Sequence, residues 1–93
     1  MENMPRINLE GGIHMITKFA IRFLRQTEGL TQKQFAEKVG ISEGLLNNIE
    51  SGYKRVSKNV SQKVTRAYNL SEEDLKFFDE VYERMMKTIK KAE

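Results

Sequence analysis

The chain has 93 residues, the length of one small domain, which leaves little room for a substrate cavity surrounded by catalytic side chains. Charged residues make up 31% of the sequence and apolar residues 39%, with no cysteine, so we expect a globular cytoplasmic domain without disulfides or thiolate metal sites. No apolar run approaches the ~18 residues that span a membrane, and we expect no signal peptide.

The charge is unevenly distributed along the chain. The net charge is +3, but residues 16–69 carry ten lysines and arginines against four glutamates, a balance of +6. Residues 70–93 carry five basic side chains against seven acidic ones. A basic middle segment is typical of proteins that bind a polyanion. A mildly basic, solvated surface is the alternative interpretation of the charge alone.

In chain order, the sequence begins with a polar stretch, residues 1–15, which is interrupted by two glycines and predicts a flexible N-terminal arm. The first helix is predicted to begin after Thr17 as N-cap and to end at Gly29. Phe19 and Phe23 lie one turn apart and give this helix a second apolar edge that also requires a partner surface. The inward positions expected from helical spacing are Ile16, Ala20, Phe23, Leu24 and Thr27.

Two short helices are predicted next. Thr31 and Gln34 form a Thr-x-x-Gln capping box, which predicts a helix over about residues 32–39. Gly40 ends this helix because glycine adopts a left-handed backbone at low cost. Ser42 then caps a third helix. The inward positions of the two helices are expected to be Phe35, Ala36, Val39, one of Leu45 and Leu46, and Ile49.

Two further helices complete the chain, so the predicted fold class is all-α. Ser57 caps a fourth helix after a basic loop, and Asn69 is expected just beyond its end. Ser71 begins the fifth helix, whose first turn is acidic and whose last turn is rich in lysine, and both charges suit the helix dipole. The inward positions of the fourth helix are expected to be Val60, Val64, Ala67 and Tyr68.

Residues 31–52, TQKQFAEKVGISEGLLNNIESG, resemble the helix-turn-helix of the lambda-repressor-like family, the Cro and phage-repressor type. The resemblance covers about residues 16–78. It implies a five-helix domain, here with an extended C-terminal helix, whose third helix enters the major groove of double-stranded DNA. The matching positions are Ile21, Arg22, Leu24, Arg25, Leu30 to Gln32, Ala36, Gly40 to Ser42, Leu46, Ile49, Glu50, Gly52 and residues 67–71.

The resemblance also implies roles for individual residues. An ion pair between Arg25 and Glu50 would join the first and third helices. The base-reading positions would be Glu43, Gly44 and Asn48, and Asn47 beside them would contact either bases or phosphate. The phosphate-binding positions would be Thr31, Gln32, Ser42, Ser51, Lys54, Arg55 and Lys58.

Several of these residues have a purely structural alternative. Gly44 offers a base only a close backbone approach. Glu43 either accepts a hydrogen bond from a cytosine amino group or caps the first turn of its helix. Lys54 and Arg55 could form a solvated turn. Asparagine is a poor helix former, so two adjacent asparagines on an exposed helix face favour a functional role.

The fifth helix is longer than the minimal family domain requires. Its apolar residues repeat at intervals of three and four, a heptad seam for which we expect homodimerisation. The alternatives are a helix that folds back on its own domain and a helix that binds another protein. The predicted domains are therefore an arm at 1–15, a DNA-binding domain at 16–78 and an extension at 79–93. The residues of the seam are Leu75, Phe78, Tyr82, Met85 and Ile89.

The expected function is that of a cytoplasmic, nucleoid-associated regulator of transcription in a bacterial or phage-infected cell. We expect a dimeric repressor of phage or mobile-element type that reads a palindromic operator. The alternatives are an antitoxin-like protein that binds a partner through the long helix, and a helix-turn-helix that no longer binds DNA. No enzymatic activity, cofactor, metal or small-molecule ligand is expected, because His14 is the only histidine and no catalytic or metal-ligand motif is present.

Overall fold

The computed structural model describes residues 14–92, with side chains as far as Lys90. The described part of the chain is all-α, as predicted, and none of its helices is long and apolar enough to cross a membrane. The five helices are α1 (Lys18–Thr27), α2 (Gln32–Val39), α3 (Glu43–Glu50), α4 (Lys58–Ala67) and α5 (Glu72–Ala92).

Hydroxyl side chains begin the helices at the residues that the sequence predicts. The Thr17, Ser42 and Ser57 hydroxyls each accept a hydrogen bond from a backbone N–H three residues ahead. The capping box of α2 is complete, with hydrogen bonds of 3.0 and 2.9 Å between Thr31 and Gln34. Local chemistry therefore fixes where these helices start.

The core lies between the first four helices, and α5 closes it along one side. Its inward positions on α2 agree with the prediction, and on α3 Leu46 is fully buried while Leu45 is half-buried. This packing fixes the rotation of α3, because the side of α3 that carries Leu46 and Ile49 faces the core. The largest fully buried side chains are Phe35, Ile21, Leu46, Ile49 and Val64.

Two predicted core positions are wrong. Thr27 and Ala67, each the last residue of its helix, are exposed because no neighbouring element covers those helix ends. Ile21 and Ser61 are buried instead. The Ser61 hydroxyl is satisfied there, since it accepts a hydrogen bond of 2.9 Å from the Ile16 backbone N–H.

The first turns of α5 pack on the chain's own domain. Leu75 and Phe78 are buried in the core. Phe23 meets Phe78 edge to face at 5.7 Å between ring centroids, and Phe19 meets Tyr82 in the same manner at 5.2 Å. The partner surface that the sequence predicts for Phe19 and Phe23 is therefore supplied by α5 of the same chain, and both side chains are half-buried there.

The segment before α1 contacts α4 and α5. His14 Nδ1 lies 2.7 Å from a carboxylate oxygen of Glu72, and its Nε2 lies 2.8 Å from one of Asp79. Ile16 follows in the core. The rest of the predicted arm, residues 1–13, lies outside the described residues, so its predicted flexibility stays a prediction.

Candidate nucleic-acid interface

The turn between α2 and α3 is held from both sides. Gly40 has a left-handed backbone, with φ of +86°, as expected. The N–H groups of Gly40 and Ile41 both donate to the Ala36 carbonyl, at 2.8 and 3.0 Å. Lys63 on α4 donates its ammonium to the Gly40 carbonyl at 3.0 Å, a contact that the sequence did not indicate. The angle between α2 and α3 is therefore held not only by the turn itself but also by a contact from α4.

The outward face of α3 carries the four predicted base-reading residues. Glu43, Gly44 and Asn47 are exposed, and Asn48 is half-buried, on the side away from the core. The Ser42 hydroxyl occupies the N-cap of this helix, where it accepts a hydrogen bond of 3.0 Å from the Leu45 N–H. An exposed N-terminal half of a short helix is the shape that the major groove accepts.

The space in front of Gly44 is open. A Cβ built at Gly44 has no atom within 4 Å, and the residue has an ordinary helical backbone. The packing of the chain itself therefore does not require glycine at this position. The bare backbone leaves room for a close approach by another molecule.

Arg25 and Glu50 join α1 to α3 as the resemblance implies. Arg25 donates from Nε and Nη2 to the two carboxylate oxygens of Glu50, at 2.7 and 2.9 Å, and from Nη1 to the Leu30 carbonyl at 3.0 Å. The side chains are only 15% and 5% exposed. Burial raises the pKa of Glu50, but hydrogen bonds from Arg25 and Gln32 and the charge of Arg25 outweigh it and hold that pKa below its usual value. Glu50 is thus ionised at neutral pH.

Gln32, predicted to bind phosphate, is hydrogen-bonded within the protein. Its Nε2 donates to Glu50 Oε1 at 3.2 Å, and its Oε1 accepts from Asn47 Nδ2 at 3.2 Å. Gln32 therefore links the buried ion pair to the exposed face of α3. No sequence pattern indicates this link, because residues 15 and 18 positions apart meet here only through the angle between α2 and α3.

The other predicted phosphate-binding residues flank α3. Lys54 and Arg55 are exposed in the loop that follows α3, and Lys58 is exposed at the start of α4. Asn48 holds the beginning of this loop, since its backbone carbonyl accepts from the Ser51 hydroxyl at 3.1 Å and from the Lys54 N–H at 3.0 Å. Thr31 and Ser42 lie at the N-termini of α2 and α3, where backbone N–H groups and the helix dipole favour an anion.

Comparisons with known proteins agree with this geometry. A family model described as helix-turn-helix matches residues 21–75, from α1 to the first turn of α5. An uncharacterized HTH-type transcriptional regulator of Archaeoglobus fulgidus is 35% identical over 60 residues, which cover 64% of this chain and 86% of that protein. No solved structure shows a significant match. The chain belongs to the helix-turn-helix family of the lambda-repressor type, a family of DNA-binding domains and not of enzymes.

Proposed function

We propose that the chain is a sequence-specific transcriptional regulator that reads double-stranded DNA by placing α3 in the major groove. The observation that carries this proposal is the rotation of α3. Leu46 and Ile49 face the core, which leaves Glu43, Gly44 and Asn47 exposed together on the opposite side. The relative from Archaeoglobus is described as a transcriptional regulator, which supports a role in transcription.

Phosphate contacts position the protein on the duplex and make binding sensitive to salt. Lys54, Arg55 and Lys58 supply positive charge on one side of α3. Hydrogen bonds to phosphate also come from the capping hydroxyls of Thr31 and Ser42. Each hydroxyl accepts a hydrogen bond from a backbone N–H and keeps its own hydrogen for a phosphate oxygen.

The regulator acts as a homodimer through the second half of α5. Tyr82, Met85 and Ile89 are 44%, 46% and 48% exposed and lie along one side of a helix that extends beyond the domain. Leu75 and Phe78, the first two residues of the predicted seam, are buried in the chain's own core and so hold α5 to the domain. The partner therefore contacts only the later residues of the seam.

The charges of α5 favour a second copy in antiparallel orientation. Residues 72–83 carry six acidic side chains and one lysine, whereas residues 84–92 carry four basic side chains and no acidic one. Antiparallel pairing brings the acidic half of each helix towards the basic half of its partner, and parallel pairing would bring like charges together. A twofold dimer of this kind fits a palindromic operator with half-sites ~34 Å apart.

The regulatory outcome that we propose is repression, because a small domain on an operator can exclude other proteins by occupancy alone. The resemblance to phage repressors favours a protein of phage or mobile-element type that acts in the cytoplasm. The matched relative is archaeal, so the host need not be bacterial. An antitoxin-like role would use the exposed side of α5 for a different protein, but the opposite charges of its two halves favour a second copy.

The test is retention of fragmented genomic DNA from the source organism by the purified chain, at about 50 and 200 mM salt. We expect a few fragments to be retained at the lower salt and released at the higher one. Light scattering should give twice the 10.8 kDa mass of one chain. Met85→Glu should halve this mass, whereas the control Lys76→Glu, in the first half of α5, should not. A native chain that retains no fragment, or a Met85→Glu variant of unchanged mass, would contradict the corresponding part of the proposal.

A further inference from the structure

A continuous chain of hydrogen bonds runs from α1 to the exposed face of α3. It begins at the Arg25 guanidinium, which donates twice to Glu50. Glu50 Oε1 accepts in turn from Gln32 Nε2, and Gln32 Oε1 accepts from Asn47 Nδ2, both at 3.2 Å. The Arg25 and Glu50 side chains are largely buried, Gln32 is half-buried, and Asn47 at the outer end is exposed.

The chemistry of these groups fixes the orientation of the two side-chain amides in this hydrogen-bond network, those of Gln32 and Asn47. A guanidinium can only donate and a carboxylate can only accept, so Gln32 must turn its NH₂ group towards Glu50. The carbonyl oxygen of Gln32 then faces Asn47, which must donate to it from its own NH₂ group. Asn47 is left with its carbonyl oxygen Oδ1 and one remaining N–H to offer outside the protein.

We propose that this chain of hydrogen bonds makes Asn47 a reader of adenine, with Gln32 as the residue that positions it. The inference rests on the proposed function, because it assigns a base to one residue of the α3 face. Adenine presents an amino group and the N7 acceptor side by side in the major groove, which match an asparagine that offers an acceptor and an N–H.

The other bases fit this orientation less well. Guanine and thymine present acceptors, O6 with N7 or O4, and these would face Oδ1 of Asn47 without a hydrogen between them. Cytosine presents an amino group but no neighbouring acceptor for the N–H. An asparagine without the link to Gln32 could rotate its amide freely, so the discrimination depends on Gln32.

The hydrogen bonds of Gln32 to Glu50 and Asn47 are compatible with the phosphate contact proposed for Gln32. Its Nε2 carries two hydrogens, and only one is used by Glu50, so the second remains for a phosphate oxygen. Gln32 can therefore fix Asn47 and contact the DNA backbone at the same time. Its contribution to base choice is separable from its contribution to affinity, because only the former depends on Asn47.

The experiment selects binding sites from a random-sequence duplex pool with the native chain and with variants. Asn47→Ala identifies the base pair that depends on Asn47, and we expect an A·T pair there. Gln32→Met, of similar length but without hydrogen bonds, should lower the preference for adenine at that base pair about three- to tenfold. It should leave the other base pairs unchanged and should have no further effect in the Asn47→Ala background. Gln62→Met on α4 is the matched control and should change no preference.

A second variant leaves Gln32 in place. Asn47→Asp keeps an outward acceptor but removes both N–H groups of the amide, the outward one and the one donated to Gln32, so it should shift the preference at the same base pair from A·T towards G·C. A native preference for a G·C pair at the Asn47-dependent position, or an undiminished preference for A·T in Gln32→Met, would overturn the inference while leaving the proposed function intact. A native chain that selects no sequence at all would overturn both.

Discussion

Burial decides how much an individual ion pair contributes to this protein. The nitrogen–oxygen distances of Arg25–Glu50 and Lys38–Glu28 are nearly the same, 2.7 and 2.8 Å. The first pair is 15% and 5% exposed, however, and the second is 39% and 40% exposed. Water and salt screen the exposed pair, whereas removal of Arg25 leaves a buried carboxylate without its cation.

We therefore expect Arg25→Met to lower the free energy of unfolding by about 3 kcal/mol, measured by chemical denaturation. Lys38→Met is the matched control and should cause a small fraction of that loss, because a methionine can still pack on the Tyr68 ring that Lys38 covers at 4.2 Å. Equal losses in the two variants would show that burial is not what distinguishes the pairs.

The Arg25–Glu50 pair could be anticipated from the sequence because the motif implies it. Ser61 and Lys63 could not. A serine in a helix usually lies at the surface, but Ser61 is buried beside Ile16, whose backbone N–H donates to the serine hydroxyl. Lys63 becomes part of the helix-turn-helix only because α4 packs against α2. Both contacts arise from tertiary packing, which no local pattern records.

At the scale of elements, the start of α5 is tied to the segment before α1 through His14. Partial burial lowers the pKa of His14, but hydrogen bonds and the negative charges of Glu72 and Asp79 outweigh burial and raise that pKa above its usual value of 6.5. The folded chain therefore binds the proton more tightly than the unfolded chain. The stabilisation is complete below about pH 6.5 and is lost as the pH rises through the raised pKa of the folded state.

His14→Gln should accordingly lower Tm more at about pH 6 than at about pH 9. At the higher pH His14 of the native chain is no longer charged, so its replacement removes less stabilisation. The measurement is thermal unfolding of both proteins at the two pH values, with Glu73→Gln as a control on an acidic residue of the same helix turn that does not contact His14. The same difference in Tm at both pH values would contradict a contribution from protonated His14.

The beginnings of the helices, and the end of α2 at Gly40, were predictable because a capping hydroxyl or a left-handed glycine acts within four residues of chain. The surroundings of the helix ends were not, and so Thr27 and Ala67 were wrongly assigned to the core. The spacing of apolar residues on α5 likewise predicted the seam, but not which of its residues pack in the chain's own core and which remain exposed. Only the position of α1 shows that Leu75 and Phe78 belong to the domain and that Tyr82, Met85 and Ile89 are left exposed.

At the scale of the whole molecule, base reading and phosphate binding are assigned to different surfaces. Asn48 lies on α3, and Lys54 lies in the loop after it, although the two backbones are joined by one hydrogen bond of 3.0 Å. Alanine at either position keeps that bond, because it joins the Asn48 carbonyl to the Lys54 N–H. The two side chains can therefore be removed separately without disturbing the loop.

The most direct test measures the affinity of the native chain, Asn48→Ala and Lys54→Ala for a selected operator and for a random duplex. Asn48→Ala should lower the ratio of the two affinities about fivefold or more and leave binding to random DNA nearly unchanged. Lys54→Ala should weaken binding to both duplexes alike, keep the ratio and reduce the salt dependence by about one phosphate contact. If both variants lost affinity for both duplexes equally, α3 would not be the element that reads the bases.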